Sequence, residues 1–207
     1  AIPVSVSFLI GFALLGVITY LPTFLQVVSG LTAIRAGLVL TALMAGVLVG
    51  TVGSGRLITR TGRYKIFPLV GTATGAIGLT LLALLLNSDQ PLAIAGVMII
   101  VGLGIGLVMQ VMVLAAQNGA AYTDLGVATS SVTFLRQIGA SLGVAIVGAV
   151  LLSAGALDPA AAAQTLAARM PLVIGLMAPL LGLAFLLLLA LPVIPLRETA
   201  YVTEEAR

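Results

Sequence analysis

Gly55-Arg56-Leu57-Ile58-Thr59-Arg60-Thr61-Gly62-Arg63-Tyr64-Lys65 is a short polar stretch between two long apolar segments. It carries four of the nine lysines and arginines in a chain of 207 residues. Basic residues concentrate in the short cytoplasmic loops that join transmembrane helices. The stretch therefore predicts a tight cytoplasmic turn between the second and third membrane spans.

The composition is that of an integral membrane protein. Hydrophobic residues make up 61% of the chain, charged residues make up 7%, and the mean hydropathy is +1.28. A soluble domain has about 25% charged residues, and one of this length could not bury so much apolar surface. The net charge of +3 comes from basic residues at the ends of apolar runs, so we expect them to contact the lipid bilayer and not nucleic acid.

The chain lacks the side chains that most metal and hydrolytic sites need. It contains no cysteine and no histidine, which excludes thiolate sites, imidazole ligands and Ser-His catalysis. We therefore expect no catalytic residues, no metal site and no cofactor, and we predict that the protein is not an enzyme.

Six apolar segments reach the length of about 20 residues that a membrane-crossing helix needs. Together they predict an all-α, six-span unit over 1–195, followed by a cytoplasmic tail at 196–207. Between the last two spans, Asp158 and Pro159 predict the start of a short alanine-rich helix that runs to about Arg169 on the membrane surface. The predicted spans are about 4–28, 37–59, 67–87, 91–116, 126–152 and 171–195.

The distribution of basic residues predicts the orientation in the membrane. Six lysines and arginines fall on one side of the six spans and two on the other, which places both ends of the chain in the cytoplasm of a cell whose plasma membrane holds the protein. The cytoplasmic set is Arg56, Arg60, Arg63, Lys65, Arg197 and Arg207, and the external set is Arg35 and Arg169.

The six spans differ in polarity in a way that suggests an internal repeat. The third and sixth spans carry almost no polar side chains, whereas each of the other four spans carries glutamine or arginine. Two peripheral helices, each third in a group of three, indicate two three-helix repeats, as in half of a secondary transporter.

On each of the first, fourth and fifth spans, the polar side chains fall on one face of the helix. Aligned polar faces indicate a shared water-filled interior, although glutamines in membranes also act as hydrogen-bonding links between helices. The Gly-x-x-x-Gly pairs at 46/50, 71/75, 102/106 and 139/143 predict close helix packing. The candidate residues of a substrate cavity are Thr19, Gln26, Gln110, Gln117, Ser130, Thr133 and Gln137.

Arg136 is the one charge deep inside a span, and we interpret it as a buried charge. A charge there costs from about 2.5 kcal/mol upward, which leaves three alternatives: pairing with a carbonyl or another part of the protein, contact with substrate, and extension towards the interface. The basic turn also has two interpretations, a topological anchor and a gating element that docks on neighbouring helix ends. The residues assigned to gating are Gly55, Arg60, Gly62, Arg63 and Lys65.

Three stretches make the chain resemble the C-terminal six-helix half of a major facilitator superfamily transporter. They are 20–37, the basic turn, and 124–145 with Phe134-Leu135-Arg136-Gln137-Ile138-Gly139 at its centre. More specifically, the chain resembles fourteen-span drug:proton antiporters of the EmrB/QacA type. In that family the basic turn carries an acidic residue, at the position that is Thr59 here.

The resemblance implies half of a secondary transporter that exports amphipathic drugs or small organic compounds by proton antiport and alternating access. Its partner would be the missing N-terminal half, since the first residues look like a cut through a longer protein. No predicted span contains a carboxylate or a histidine, so the proton-carrying group is expected in that other half. The alternative is a six-span membrane scaffold or assembly protein that transports nothing.

Overall fold

The computed structural model of the chain is all helical, and it describes residues 2–62, 64–86, 88, 90–152 and 159–191. The described part contains six long helices, and a single turn of 3-10 helix at Tyr122–Asp124 precedes the fifth. All six are long and apolar enough to cross a membrane, which confirms the predicted all-α fold with six spans. The helices are α1 (Ile2–Val27), α2 (Ala33–Thr61), α3 (Ile66–Leu85), α4 (Pro91–Asn118), α5 (Leu125–Leu152) and α6 (Pro159–Leu189).

Local signals account for the ends of α2. The helix begins after Thr32, whose hydroxyl accepts a hydrogen bond from the backbone N–H of Arg35 at 3.4 Å, so α2 starts earlier than the span predicted from 37. It ends at Thr61 and is capped by Gly62, which has φ +67° and donates its N–H to the carbonyl of Ile58 at 2.8 Å. Glycine adopts this left-handed conformation without the steric cost that a Cβ atom brings.

The predicted division between a surface helix ending near Arg169 and a separate sixth span was wrong. The structure has one continuous helix, α6, which passes through Pro171 and Pro179 and ends at Leu189. A proline removes one backbone N–H, and long membrane helices tolerate this because neighbouring bonds and helices hold the segment. Asp158 and the predicted tail at 196–207 lie outside the described residues.

The helices associate as two parallel pairs with two peripheral helices. Helix α1 packs along α5, α2 packs along α4, and α3 packs against both α4 and α6. Among the described helices, α2 is covered least by the rest of the chain, followed by α5 and α6, which are covered equally. Consecutive helices alternate in direction, so the α1–α5 pair runs opposite to the α2–α4 pair.

Glycines bring α2 and α4 into backbone contact. A Cβ atom added at Gly46 would collide with the carbonyl of Ile99, and one added at Gly50 would lie 2.7 Å from the carbonyl of Leu103. Small residues permit this close approach between membrane helices. The predicted Gly-x-x-x-Gly packing at 46/50 is therefore confirmed.

The α1–α5 pair repeats this arrangement. A Cβ atom at Gly139 would collide with the carbonyl of Phe8, and one at Gly143 would collide with the carbonyl of Phe12. Phe8 and Phe12 have the same spacing as the two carbonyls that face Gly46 and Gly50. Helix α5 therefore contacts α1 as α2 contacts α4.

The reverse contacts obey the same relation. The carbonyl of Leu43 faces Gly102, and the carbonyl of Arg136 faces Gly11. One constant sequence offset relates α1 to α4, and a second relates α2 to α5, so Gly11 corresponds to Gly102 and Arg136 to Leu43. Residue by residue, these contacts relate the pair α1–α2 to the pair α4–α5, as two three-helix repeats, α1–α3 and α4–α6, require.

Candidate substrate-facing surface

Three of the predicted cavity residues are exposed and unpartnered. Thr19 on α1, Gln110 on α4 and Gln137 on α5 lie on surfaces that the rest of the chain leaves uncovered. None of the three side chains forms a hydrogen bond to another residue in the described part of the chain. Their donors and acceptors are therefore available to a ligand, to water or to another polypeptide.

Three other candidates hydrogen-bond within their own helices. Gln26 donates from Nε2, and Ser130 and Thr133 donate from their hydroxyls. Such local bonds satisfy a donor and leave lone pairs on the oxygen available. Their acceptors are the carbonyl oxygens of Pro22, Val127 and Thr129, at 3.2, 3.1 and 3.1 Å respectively.

Gln117 connects two helices. Its Nε2 donates to the Thr129 hydroxyl on α5 at 2.9 Å, and that hydroxyl donates in turn to the carbonyl of Leu125 at 2.8 Å. This geometry matches the interhelical alternative considered for glutamine. It ties the last turn of α4 to the first turns of α5.

The polar side chains of α1 and α4 occupy equivalent positions in the two repeats. At the offset that joins Gly11 to Gly102, Thr19 corresponds to Gln110 and Gln26 corresponds to Gln117. Helices α1 and α4 therefore carry polar side chains at two equivalent levels. Helical periodicity groups these residues by face and does not reveal this correspondence, for which Gln26 and Gln117 are the available signal in the sequence.

Helices α5 and α2 break the symmetry. Gln137 on α5 corresponds to Met44 on α2, and Arg136 corresponds to Leu43. Leu43 is buried with 1% of its surface exposed. The polar character of α5 is therefore specific to the second repeat.

Arg136 is partly exposed on the surface of this chain, and its interpretation as a charge buried within the membrane stays a prediction. Its Cγ atom lies 3.1 Å from the position of a Cβ added to Gly11, so the aliphatic stem occupies the space beside that glycine. The guanidinium forms no hydrogen bond to any residue that the structure describes. Near the middle of α5, a charge without a partner calls for water or an anion.

One residue of the basic turn, Lys65, contacts the end of another helix. Lys65 donates from Nζ to the carbonyl oxygens of Leu189 and Leu191, at 2.9 and 2.6 Å, at the end of α6. A cation is favourable at a helix C-terminus, where the last carbonyls lack intrahelical donors. Lys65 therefore binds within this six-helix unit.

The other residues assigned to gating are arranged differently. Arg60 is exposed in the last turn of α2, and Gly62 provides the left-handed bend. A Cβ atom at Gly55 would meet nothing within 4 Å, so close packing does not require a glycine at that position. Arg63 lies outside the described residues.

The described residues contain no group of three acidic, histidine or cysteine side chains that could hold a metal ion. The surface is instead one of neutral polar side chains, with a single guanidinium, on three apolar helices. Such a surface can bind organic molecules through apolar contact and a few hydrogen bonds.

Six spans with inverted, repeat-related contacts define the class of half-transporter folds. Residues 3–144 match the family model described as Major Facilitator Superfamily. The chain belongs to the major facilitator superfamily.

Several named relatives share about a third or more of the aligned residues. An uncharacterized MFS-type transporter of Mycobacterium tuberculosis is 42% identical over 147 residues, which are 71% of this chain and 21% of that protein. A tetracycline resistance determinant of Streptomyces rimosus is 35% identical over 147 residues, 71% of this chain and 42% of that protein. The multidrug transporter protein MdtP of Bacillus subtilis is 34% identical over 146 residues, 70% of this chain and 27% of its own length. The chain thus matches less than half of the length of each.

Proposed function

We propose that the chain is the C-terminal half of a fourteen-span transporter of the EmrB/QacA type, which exports amphipathic organic compounds by proton antiport. The names of the tetracycline resistance and multidrug relatives support drug-like substrates. The observation that carries the proposal is the set of exposed, unpartnered polar side chains Thr19, Gln110 and Gln137 on three helices.

The polar surface needs a second half. Polar side chains in contact with hydrocarbon are unfavourable, and alternating access requires two units that rock around a shared site. The missing N-terminal half would cover this surface and form the other wall of the cavity.

The same half would supply the proton carrier. Asp124 is the one carboxylate among the described residues, and it is exposed before the start of α5. A residue outside the spans cannot by itself couple proton movement to a site at the middle of the membrane. We therefore place the titratable group in the N-terminal half.

The orientation belongs to the same proposal, with both ends of the fragment in the cytoplasm and the protein in the plasma membrane. Thr61 and Gly30 are exposed at opposite ends of α2. Single cysteines at these positions in the full-length protein should react with an impermeant maleimide from opposite sides of intact cells, and the cysteine replacing Gly30 should react from outside. Labelling of both positions from outside would contradict the orientation.

Transport is tested with the full-length protein in cells that lack their main efflux pumps. Gln110→Leu and Gln137→Leu should each slow the efflux of a fluorescent amphipathic dye at least threefold, whereas Gln90→Leu, at an exposed position before α4, should not. A protonophore should abolish the efflux by the native protein. Absence of any dye efflux or proton movement would favour the scaffold alternative.

A further inference from the structure

The two ends of the bundle are built from repeat-equivalent segments that are packed differently. Near the last turn of α1, Phe24 and Leu25 are completely buried. At the offset that relates Gly11 to Gly102, their counterparts in α4 are Ala115 and Ala116. One end of the bundle is therefore filled by large side chains, and the other has alanines in their place.

A cavity lies next to these two alanines. It has a volume of about 470 Å³ and is lined by Ala115, Ala116 and Tyr64, among others. The space at the opposite end, lined by Leu25 and Ser29, has a volume of about 180 Å³. The cavity is partly open at the surface of the bundle, so a small molecule can enter it without unfolding the chain. The replacement of large side chains by Ala115 and Ala116 creates this space at one end only, which is the geometry of a small-molecule site.

The walls of this Ala116 cavity define the chemistry of that occupant. Among the residues that the structure describes, no charged side chain lines it. The hydroxyl of Ser131 on α5 lines the cavity and forms no hydrogen bond to any residue in the described ranges, whereas the adjacent Ser130 donates to the carbonyl of Val127 at 3.1 Å. The cavity thus offers an apolar wall with one available hydrogen-bonding group, at a volume typical of small-molecule sites.

The floor of the cavity is held in place by the basic turn. Tyr64, which is 3% exposed, and Leu191 both line it. Lys65 fixes their relative position, because its Nζ donates to the carbonyl of Leu191 at 2.6 Å. The described walls of the site are therefore held together by contacts within this chain.

We propose that the Ala116 cavity binds the uncharged, apolar part of the amphipathic compounds that the transporter carries, with Ser131 as its hydrogen-bonding partner. The cavity lies at the end of the bundle that carries the basic turn, away from Gln110 and Gln137 on the polar surface. It is a second binding site. Only the identity of the bound compound rests on the proposed function; the existence of the site does not.

The test uses the purified full-length protein, freed of other reactive cysteines, and the neutral probe N-phenyl-1-naphthylamine. With Ala116→Cys, saturating probe should slow reaction with N-ethylmaleimide at least fivefold. With Ala45→Cys, at an exposed position on α2, the probe should leave the rate unchanged. Equal rates with and without probe at both positions would overturn the proposal.

A filling variant provides a second measurement. Ala116→Leu introduces the side chain that the first repeat has at Leu25 and should weaken probe binding at least tenfold, while Ala45→Leu should leave it unchanged. Native affinity in folded Ala116→Leu would overturn the proposal. If Ala116→Leu fails to fold, the cysteine protection decides the outcome.

The outcomes separate this inference from the proposed function. Protection of Ala116→Cys in a protein that exports no dye would retain the cavity site and contradict the transport proposal. Normal dye export, with no protection of Ala116→Cys by the probe, would support the transport proposal and contradict the cavity site. Protection that requires removal of residues 192–207 would overturn the inference, because the occupant would then be the chain's own C-terminal segment.

Discussion

Lys65 donates a hydrogen bond from Nζ to the carbonyl oxygen of Leu191 at 2.6 Å, and so joins the start of α3 to the end of α6. A comparable contact lies elsewhere in the bundle, where Arg169 donates from Nη1 to the carbonyl of Val150, near the end of α5, at 2.6 Å. In both cases a cation meets carbonyls at a helix C-terminus, where the helix dipole favours positive charge. Lys65 and Arg169, which are topological signals in the sequence, thus also join helices.

Lys65→Gln should lower the free energy of unfolding of the full-length protein by about 1–2 kcal/mol, because the carbonyls at the end of α6 lose a charged donor. Lys65→Arg should recover part of this loss. Thermal unfolding in detergent measures the effect. Arg60→Gln is the matched control, since Arg60 is exposed and has no described hydrogen-bond partner; a larger effect at Arg60 than at Lys65 would contradict the assignment.

Gly139→Ala should separate α1 from α5. The added Cβ atom would collide with the carbonyl of Phe8, and overpacking of this kind costs about 1–3 kcal/mol. On the same helix, a Cβ atom at Gly126 meets nothing within 4 Å, so Gly126→Ala should leave stability unchanged or raise it slightly. Equal unfolding temperatures for the two variants would show that the α1–α5 contact is looser than the structure has it.

The sequence predicted the fold class because membrane spans follow from length and hydropathy. It also predicted that Gly46 and Gly139 lie in packing seams, since small residues at a spacing of four share one helix face. It could not show which helix each glycine contacts, because a helix face does not specify its partner. The repeat offsets that pair Arg136 with Leu43 emerged only from contacts on both seams.

Two other features depended on tertiary context. The predicted boundary between the helix ending near Arg169 and the span beginning at 171 falls at a proline, which in isolation breaks helices, but α6 continues through Pro171. Lys65 was one of four basic residues in the turn, and nothing in its local sequence distinguishes it from Arg60. Its role depends on where the end of α6 lies, which the sequence does not encode locally.

Phe24→Ala should destabilise the protein far more than the same change at Phe134. Phe24 is completely buried, whereas 62% of the surface of Phe134 is exposed. Removing a buried phenylalanine costs about 3–5 kcal/mol, and exposed substitutions usually stay within about 0.5 kcal/mol. Equal unfolding midpoints for the two variants in one detergent would contradict the packing proposed for that end of the bundle.

Arg136→Leu tests whether the charge on α5 serves function or folding. The substitution installs the residue that the first repeat has at Leu43, and it removes a guanidinium without a described partner from the middle of a span. A charge at that depth costs about 2.5–3.5 kcal/mol, so the variant should unfold at the same or a higher temperature than the native protein. Its dye efflux should fall at least tenfold if the guanidinium holds an anionic group of the substrate or of the other half, and Arg136→Lys should recover only part of the efflux, because an ammonium lacks the planar donor fork of arginine. Gln90→Leu is the control for handling and expression. A marked loss of stability in Arg136→Leu, with efflux per folded molecule unchanged, would make Arg136 a structural residue and contradict this assignment.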